Sequence, residues 1–347
     1  MDLKINKKSG SEAEVEASLT EEEFGEFFEN SARDEMAKVE IKGFRKGQAP
    51  EKIAREYINY DKAFEKAAER AIKAILKKAT EENEWDLIDA PKVEILEAKE
   101  GFKFKANLVF LPEVKLNDYK KIAKEANKEA KEKIEKITVE KKEVEEAVDW
   151  LMHSREHDHK EGEKCEHQEE EKKELTDEMA KTFGDFKTAE ELKKSIEEGI
   201  KAEKIIREAD KNRAKIINKI SEEAKIDVPE VMIKKMAENM KEEIKESLGG
   251  EEKYNEYIKK NFEGKEDELL KKFSDQSLKE IKAHLIIDEI ARGERVMPEE
   301  KEVEEEMTKI LNTVAPDKRS EANLKRIYDY SFGKVKNEKV FKFLEKI

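Results

Sequence analysis

From Leu175 to Ile347 the sequence is a nearly continuous series of amphipathic helical runs, interrupted at Gly184, Val228-Pro229, Gly249-Gly250, Met297-Pro298, Ala315-Pro316 and near Gly333. Glycine and proline are the residues that end helices most readily, so these interruptions divide the segment into helices of roughly 20 to 35 residues. Each helix carries a thin apolar stripe. That is the expected outcome where 46% of residues are Asp, Glu, Lys or Arg and only 37% are hydrophobic. A compact enzyme core is disfavoured, and an all-α body with long helical arms over residues 174–347 is expected. No fixed repeat period of about 20 to 50 residues emerges, so the body is not a regular solenoid.

Residues 1–115 differ in kind. EAEVEASLT around Val15, VEIL from Val93 to Leu96, and FKFKANLVFL from Phe102 to Leu111 read as strands. Helices lie between them. Thr20 with Glu23 three residues on forms a capping box, a second helix is expected near Pro50, and a third over Asp61–Thr80 with Phe64, Ala67, Ala68, Ala71, Ile72 and Ile75 on one side. The expectation is an α+β domain with a small antiparallel sheet. Residues 116–173 are too polar to bury a core of their own and read as a linker with one helical segment, Glu140–His153. Together these parts predict an elongated, multi-domain chain.

Several functions are excluded at this level. The formal net charge of −14 argues against a general nucleic-acid binder, and so against DNA as a partner. No window approaches a membrane span, and the start MDLKINKKSG has no apolar stretch of the secretory kind, so a cytoplasmic chain is expected. A single cysteine, Cys165, excludes an intramolecular disulfide framework and fits a reducing compartment. There is no GxxxxGK[ST] loop for ATP, and no cofactor is expected. His284, in the apolar run KAHLIIDEI without a nearby nucleophile, reads as a structural histidine.

One short stretch stands apart. Gly43, Phe44, Arg45, Lys46, Gly47, Gln48, Ala49 and Pro50 form a loop in which two glycines four apart permit a sharp turn. Over Lys38–Arg55 six bases face two acids, a local charge of +4 in a region of 21 bases and 26 acids over residues 1–115. A basic island with an exposed aromatic is suited to a negatively charged partner; a helix hairpin with Phe44 tucked into the core is the plainer alternative.

The run GFRKG, followed by two residues and Pro50, resembles the ribosome-binding signature of the trigger factor family of ATP-independent bacterial chaperones. PEKIAREY behind it, FLPEVKL from Phe110 to Leu116, ELTDEMAKTFG from Glu174 to Gly184 and KIDVPEVMI from Lys225 to Ile233 are similar to family segments in the family's order. The resemblance implies docking near the polypeptide exit tunnel, against ribosomal protein and rRNA, through Gly43, Phe44, Arg45, Lys46 and Gly47. It implies unfolded nascent polypeptides as clients, no membrane partner, and allows a homodimer when the chain is free.

The usual family arrangement places a peptidyl-prolyl isomerase domain between the two ends. Here Ile137–Arg155 resembles the lead-in to that domain, yet only 18 residues, Glu156 to Lys173, stand where a barrel-like sheet should be. An isomerase needs an apolar cleft, and this interval has no strand pattern or aromatic pocket to make one. No enzymatic activity is therefore expected. The alternatives are an isomerase as in the full-length family, or a helical adaptor with a basic docking loop and no chaperone activity.

Two weaker features remain. His153, His157, His159, Cys165 and His167 fall within 15 residues and could supply a tetrahedral site for Zn²⁺ or Ni²⁺, but the spacing matches no standard finger and a solvated tether is the preferred reading. Met232, Met236, Met240, Ile244 and Leu248 recur every four residues, as a helix–helix core or as an adaptable client surface would require. Phe332, Phe341, Phe343 and Leu344 could dock the last helix or line a cradle.

Overall fold

The computed structural model describes residues 1–99, 101–156, 175–313 and 320–347. Along the chain the elements are β1 (Asp2–Lys8), β2 (Glu12–Leu19), α1 (Glu21–Met36), α2 (Glu51–Ala54), α3 (Tyr60–Glu82), β3 (Lys92–Glu97), β4 (Phe102–Val109) and β5 (Val114–Lys115). They continue with α4 (Tyr119–Ile134), α5 (Lys141–Glu156), α6 (Asp177–Ala180), α7 (Ala189–Glu223), β6 (Lys225–Ile226), α8 (Glu230–Leu248), α9 (Glu251–Phe262), α10 (Glu266–Gly293), α11 (Glu300–Thr313) and α12 (Glu321–Glu345). The chain divides into two compact units, residues 1–115 with 225–285 and residues 116–224 with 286–347. A small sheet with helices at the N-terminus and a helical remainder are the architecture expected from the sequence.

In the first unit the strands form an antiparallel sheet in the order β1-β2-β4-β3. Alternation dictates its inner face: Ala13, Val15, Ala17 and Leu19 of β2 and Phe102, Phe104, Ala106 and Leu108 of β4 are all buried. The register sets Val15 opposite Ala106 and Ala17 opposite Phe104. Helices α1 and α3 cover this face. Thr20 caps α1, its side chain accepting from the Glu23 amide while Glu23 accepts from the Thr20 amide, so the capping box is present. Phe24 of α1 stacks on Phe102 with ring centroids 4.7 Å apart. Ala67, Ala68 and Ala71 let α3 approach closely, and Ile75 and Leu76 fill the remainder. β1 was not anticipated; its two apolar residues, Leu3 and Ile5, are held by pairing with Ala17 and Val15.

The helical part of this unit starts where β6 pairs with β5. The Asp227 carboxylate accepts from the Gly10 amide at 2.5 Å, and the Asp227 carbonyl accepts from Ser11 Oγ at 2.8 Å. Beyond it, α8 ends at Gly249, whose φ of +87° is the left-handed helix stop expected at the Gly249-Gly250 break. Tyr254, Ile258 and Leu269 form a small core with Ile244, Leu248 and Phe273. His284 corrects an expectation: it is exposed on α10, as is Asp288 one turn later, while Ile281 and Leu285 beside it are buried. An apolar run in sequence still has an outer face once wound into a helix.

In the second unit α4 packs along α7, burying Ile122, Ala123, Ala126 and Ala130. This segment opens the stretch expected to be linker, and it finds its core on a partner helix. α5 also lies on α7, with Val148 buried. α12 runs unbroken through Gly333, contrary to the expected interruption there. An interior glycine costs a helix only about 1 kcal/mol, and burial of Val340 and Leu344 further along α12 outweighs that.

Candidate functional site

The stretch between α1 and α3 is a loop with an anchored base and an exposed tip. Val39, Ile41 and Ala49 pack, half-buried, against Ala32 and Met36 of α1, Ala54 of α2, Ile58 and Ala63. Two tight turns follow from that anchor: the Phe44 amide donates to the Ile41 carbonyl at 3.0 Å, and the Gln48 amide donates to the Arg45 carbonyl at 2.9 Å. The Gly47 amide donates across the base to the Val39 carbonyl at 3.3 Å.

Both glycines are required by the backbone. Gly43 has φ +98° and Gly47 φ +70°. At Gly47 a Cβ would also sit 2.6 Å from the Ala37 carbonyl oxygen, so the loop can fold back on the end of α1 only with glycine there. Pro50 corrects a detail: it is the cap residue of α2, which lasts one turn before tightening into a 3₁₀ turn at Arg55–Tyr57.

The tip presents Lys42, Gly43, Phe44, Arg45 and Lys46 to solvent, with Phe44 42% exposed. The plainer alternative, Phe44 tucked into the core, is thereby excluded. The cations differ in what they face. Lys38 pairs with Glu35 at 3.1 Å, Lys46 with Glu40 at 3.3 Å, and Arg55 forms a fork on Glu29 while also reaching Glu51. Lys42, Arg45 and Lys52 have no ion pair among the described residues. Glu35 accepts from both Lys66 and Lys38, which hold its carboxyl below the usual range, and the Glu29 hydrogen bonds raise the Arg55 guanidinium. These pairs stake α1 to α3 and to the 3₁₀ turn, leaving Arg45 as a cation with no local partner beside an open aromatic ring.

Sequence reasoning missed Ile53, Tyr57 and Tyr60, which follow the loop in the chain and are 38%, 60% and 51% exposed. Their i, i+4 and near spacing was the available signal. Elsewhere, Met232, Met236 and Met240 are half-buried on α8, and Ser277 Oγ lies 3.7 Å from Met240 Sδ. Leu344 is fully buried, while Phe332, Phe341 and Phe343 are half-buried, with Arg213 over the Phe341 ring and Lys120 over that of Phe343. His157, His159, Cys165 and His167 lie outside the described residues, as does the side chain of His153. Among the described residues no three His, Cys, Asp or Glu side chains group as metal ligands.

With this geometry in hand, comparison with known proteins is direct. A family model described as bacterial trigger factor protein matches residues 1–151, and one described as bacterial trigger factor protein C-terminus matches residues 188–344. A trigger factor of Clostridium kluyveri is 26% identical, covering 99% of this chain and 98% of that protein. Trigger factors of Clostridium tetani and Clostridium botulinum are 24% and 25% identical over 87% and 89% of this chain. The Clostridium kluyveri alignment extends over 426 residues against 347 here, so that relative carries sequence this chain lacks. A solved structure described as the trigger factor chaperone in promiscuous substrate recognition superposes with a TM-score of 0.56 at 17% identity, covering 98% of this chain and 99% of that one.

Proposed function

This chain belongs to the trigger factor family, and we propose that it is an ATP-independent chaperone that docks near the ribosomal exit tunnel through Gly43–Gly47 and shields emerging polypeptides. The observation that carries the docking half is Arg45, without an ion pair among the described residues, beside half-exposed Phe44 on a loop whose base is locked by packing and by two left-handed glycines. A pre-ordered loop loses little freedom on binding, so a small contact can hold. Arg45 supplies a planar fork for a carboxylate or a phosphate, and Phe44 supplies apolar area that water leaves on contact. The acidic remainder of the molecule disfavours binding to anionic surfaces elsewhere, which confines attachment to this loop.

The shielding half is supported by partly exposed apolar side chains on the helices, among them Met232, Met236 and Met240, whose flexible thioethers adapt to varied sequences. No prolyl isomerase activity is part of this reading, because residues 152–187 between the two family matches are too few and too polar to form an aromatic-lined cleft. Among the described residues no helix is long and apolar enough to cross a membrane. The test is ribosome pelleting of the wild type and of the F44A/R45A/K46A variant. Loss of co-sedimentation with an unchanged circular dichroism spectrum is expected; retained binding refutes the docking site. Suppression of aggregation of an unfolded client separates a chaperone from an adaptor.

A further inference from the structure

Helix α3 stops short of covering the whole inner face of the sheet. Val93 and Ile95 of β3 lie opposite Ala106 and Phe104 of β4, and so share the face that forms the core. Yet Ala106 and Phe104 are fully buried, while Val93 and Ile95 are 39% and 50% exposed. The overhang leaves a groove of about 720 Å³ between β3 and α3, lined by Phe64, Ile72 and Leu76 on the helix and by Leu87. β3 is also an edge strand, with every residue exposed and no neighbour beyond β4 among the described residues. Its outer edge offers unpaired main-chain donors and acceptors.

We propose that this groove is a strand-acceptor site for an extended polypeptide segment of alternating apolar and polar residues. The free edge of β3 supplies main-chain hydrogen bonds to a strand of any sequence, and the groove takes every second side chain, the two requirements of strand addition. The rim fixes the direction of the occupant. Glu65 and Glu69 border the Phe64 end and Lys73 borders the Leu76 end, so a strand with a cation at the first and a carboxylate at the second is favoured. The outward charges of β3, Lys92, Glu94 and Glu97, discourage indiscriminate edge pairing. They also argue against a second copy of β3 as occupant. A two-fold at Glu94 would set that carboxylate against its own copy, one at Ile95 would oppose Val93 to Glu97, and one at Val93 would bring Pro91, which has no N–H to donate, opposite Ile95. The occupant is therefore a segment of another, unfolded chain, an identification that rests on the chaperone reading above.

The test uses the full-length protein and a fluorescein-labelled ten-residue peptide alternating valine and leucine with serine, carrying lysine near one end and glutamate near the other. Fluorescence anisotropy should show it binding at least about tenfold more tightly than a peptide of the same composition with the apolar residues in one block. Val93→Asp and Ile95→Asp, both at exposed positions, should each weaken binding about tenfold or more with an unchanged circular dichroism spectrum. A peptide N-methylated on the alternate residues that face β3 should lose binding, while methylation of the other set should be tolerated. Unchanged affinity in Ile95→Asp, or equal affinity of the two methylated peptides, overturns the site. So does sedimentation velocity showing that Ile95→Asp abolishes self-association of a protein that binds no peptide, since the occupant is then a second copy. If the wild type suppresses client aggregation but binds no peptide, the strand-acceptor site falls and the chaperone reading stands. If peptide binds as described without suppression, the groove stands and the chaperone reading falls.

Discussion

Asn212 Nδ2 donates to Asn127 Oδ1 at 2.9 Å, and Asn127 Nδ2 in turn donates to the carbonyl oxygen of Leu344 at 2.8 Å. Three helices far apart in sequence, α7, α4 and α12, are thus joined by one chain of amide hydrogen bonds in a setting where Asn212 is buried. A buried amide without its partner costs about 1–3 kcal/mol, whereas the complete chain is close to neutral relative to apolar packing. Such a ladder therefore selects the register of α4 on α7 more than it adds stability.

Asn127→Ala should accordingly lower stability by about 1–3 kcal/mol, because it strands the Asn212 amide, while the Leu344 carbonyl keeps the Ile347 amide at 3.4 Å as a donor. Urea denaturation followed by circular dichroism measures it. The N127L/N212L pair should lose less than the sum of the two single changes, since the two groups no longer leave each other unpaired. Strict additivity would show that the ladder is not a unit.

At the proposed docking loop the ion pairs rank the cations. Lys46 already faces Glu40 at 3.3 Å, whereas Arg45 has no such partner among the described residues. Arg45→Ala should weaken ribosome pelleting more than Lys46→Ala, and Glu40→Gln should strengthen it slightly by releasing Lys46 and removing a like charge from the partner's approach. The advantage of Glu40→Gln should shrink as salt rises, since all these groups are exposed. Equal losses for the Arg45 and Lys46 changes would remove the ranking.

The two glycines should behave differently. At Gly43 an added Cβ meets nothing within 4 Å, so Gly43→Ala carries only the strain of its positive φ, about 1 kcal/mol. At Gly47 the Cβ runs into the Ala37 carbonyl, and the base of the loop must shift to make room. Gly47→Ala should therefore cost about 1–3 kcal/mol in thermal or urea unfolding and reduce ribosome binding well below that of Gly43→Ala.

What could be read in advance follows the distance over which each feature is decided. The Thr20–Glu23 capping box, the alanine stripe of α3 and the glycines of the loop are local patterns, and each stands where its residues place it. β1 escaped because Leu3 and Ile5 are too few to signal a strand without β2 beside them. α4 escaped for a related reason: Ala123, Ala126 and Ala130 are scattered among lysines and glutamates, and their burial exists only once α7 is supplied. The overhang at Val93 and Ile95 is set by how α3 lies across the sheet, which no window of sequence contains. Phe44 was legible as a candidate, exposed in one reading and tucked into the core in the other; the choice between them depends on Val39, Ile41 and Ala49 anchoring the loop base.

The proposed reading without prolyl isomerase activity makes a direct prediction. Refolding of a proline-limited substrate should proceed at its uncatalysed rate in the presence of the full-length protein, with slow phases on the time scale of tens of seconds or longer. Aggregation of the same substrate should nevertheless fall as the protein is added. Acceleration above background would place a prolyl-binding cleft in this chain.

Tyr254 supplies a test at alkaline pH. It is 1% exposed, and its hydroxyl donates to Glu266 Oε1 at 3.1 Å, with Lys241 Nζ 2.6 Å from that same oxygen. Burial first, and the Glu266 hydrogen bond second, push its phenol from the ordinary 10.0 up to about 12. Because the folded value lies above the unfolded one, the contribution is fully present below pH 10 and is lost as pH rises towards 12. Stability should thus fall through that window as the unfolded chain releases a proton that the folded chain retains. Tyr254→Phe should lose about 0.5–1.5 kcal/mol near neutrality from the missing hydrogen bond and show a flatter decline above pH 10. The tyrosinate absorbance of the wild type, minus that of Tyr254→Phe, isolates this group; a midpoint at the ordinary value would mean that the hydroxyl is open to water and the contact with Glu266 is not held in solution.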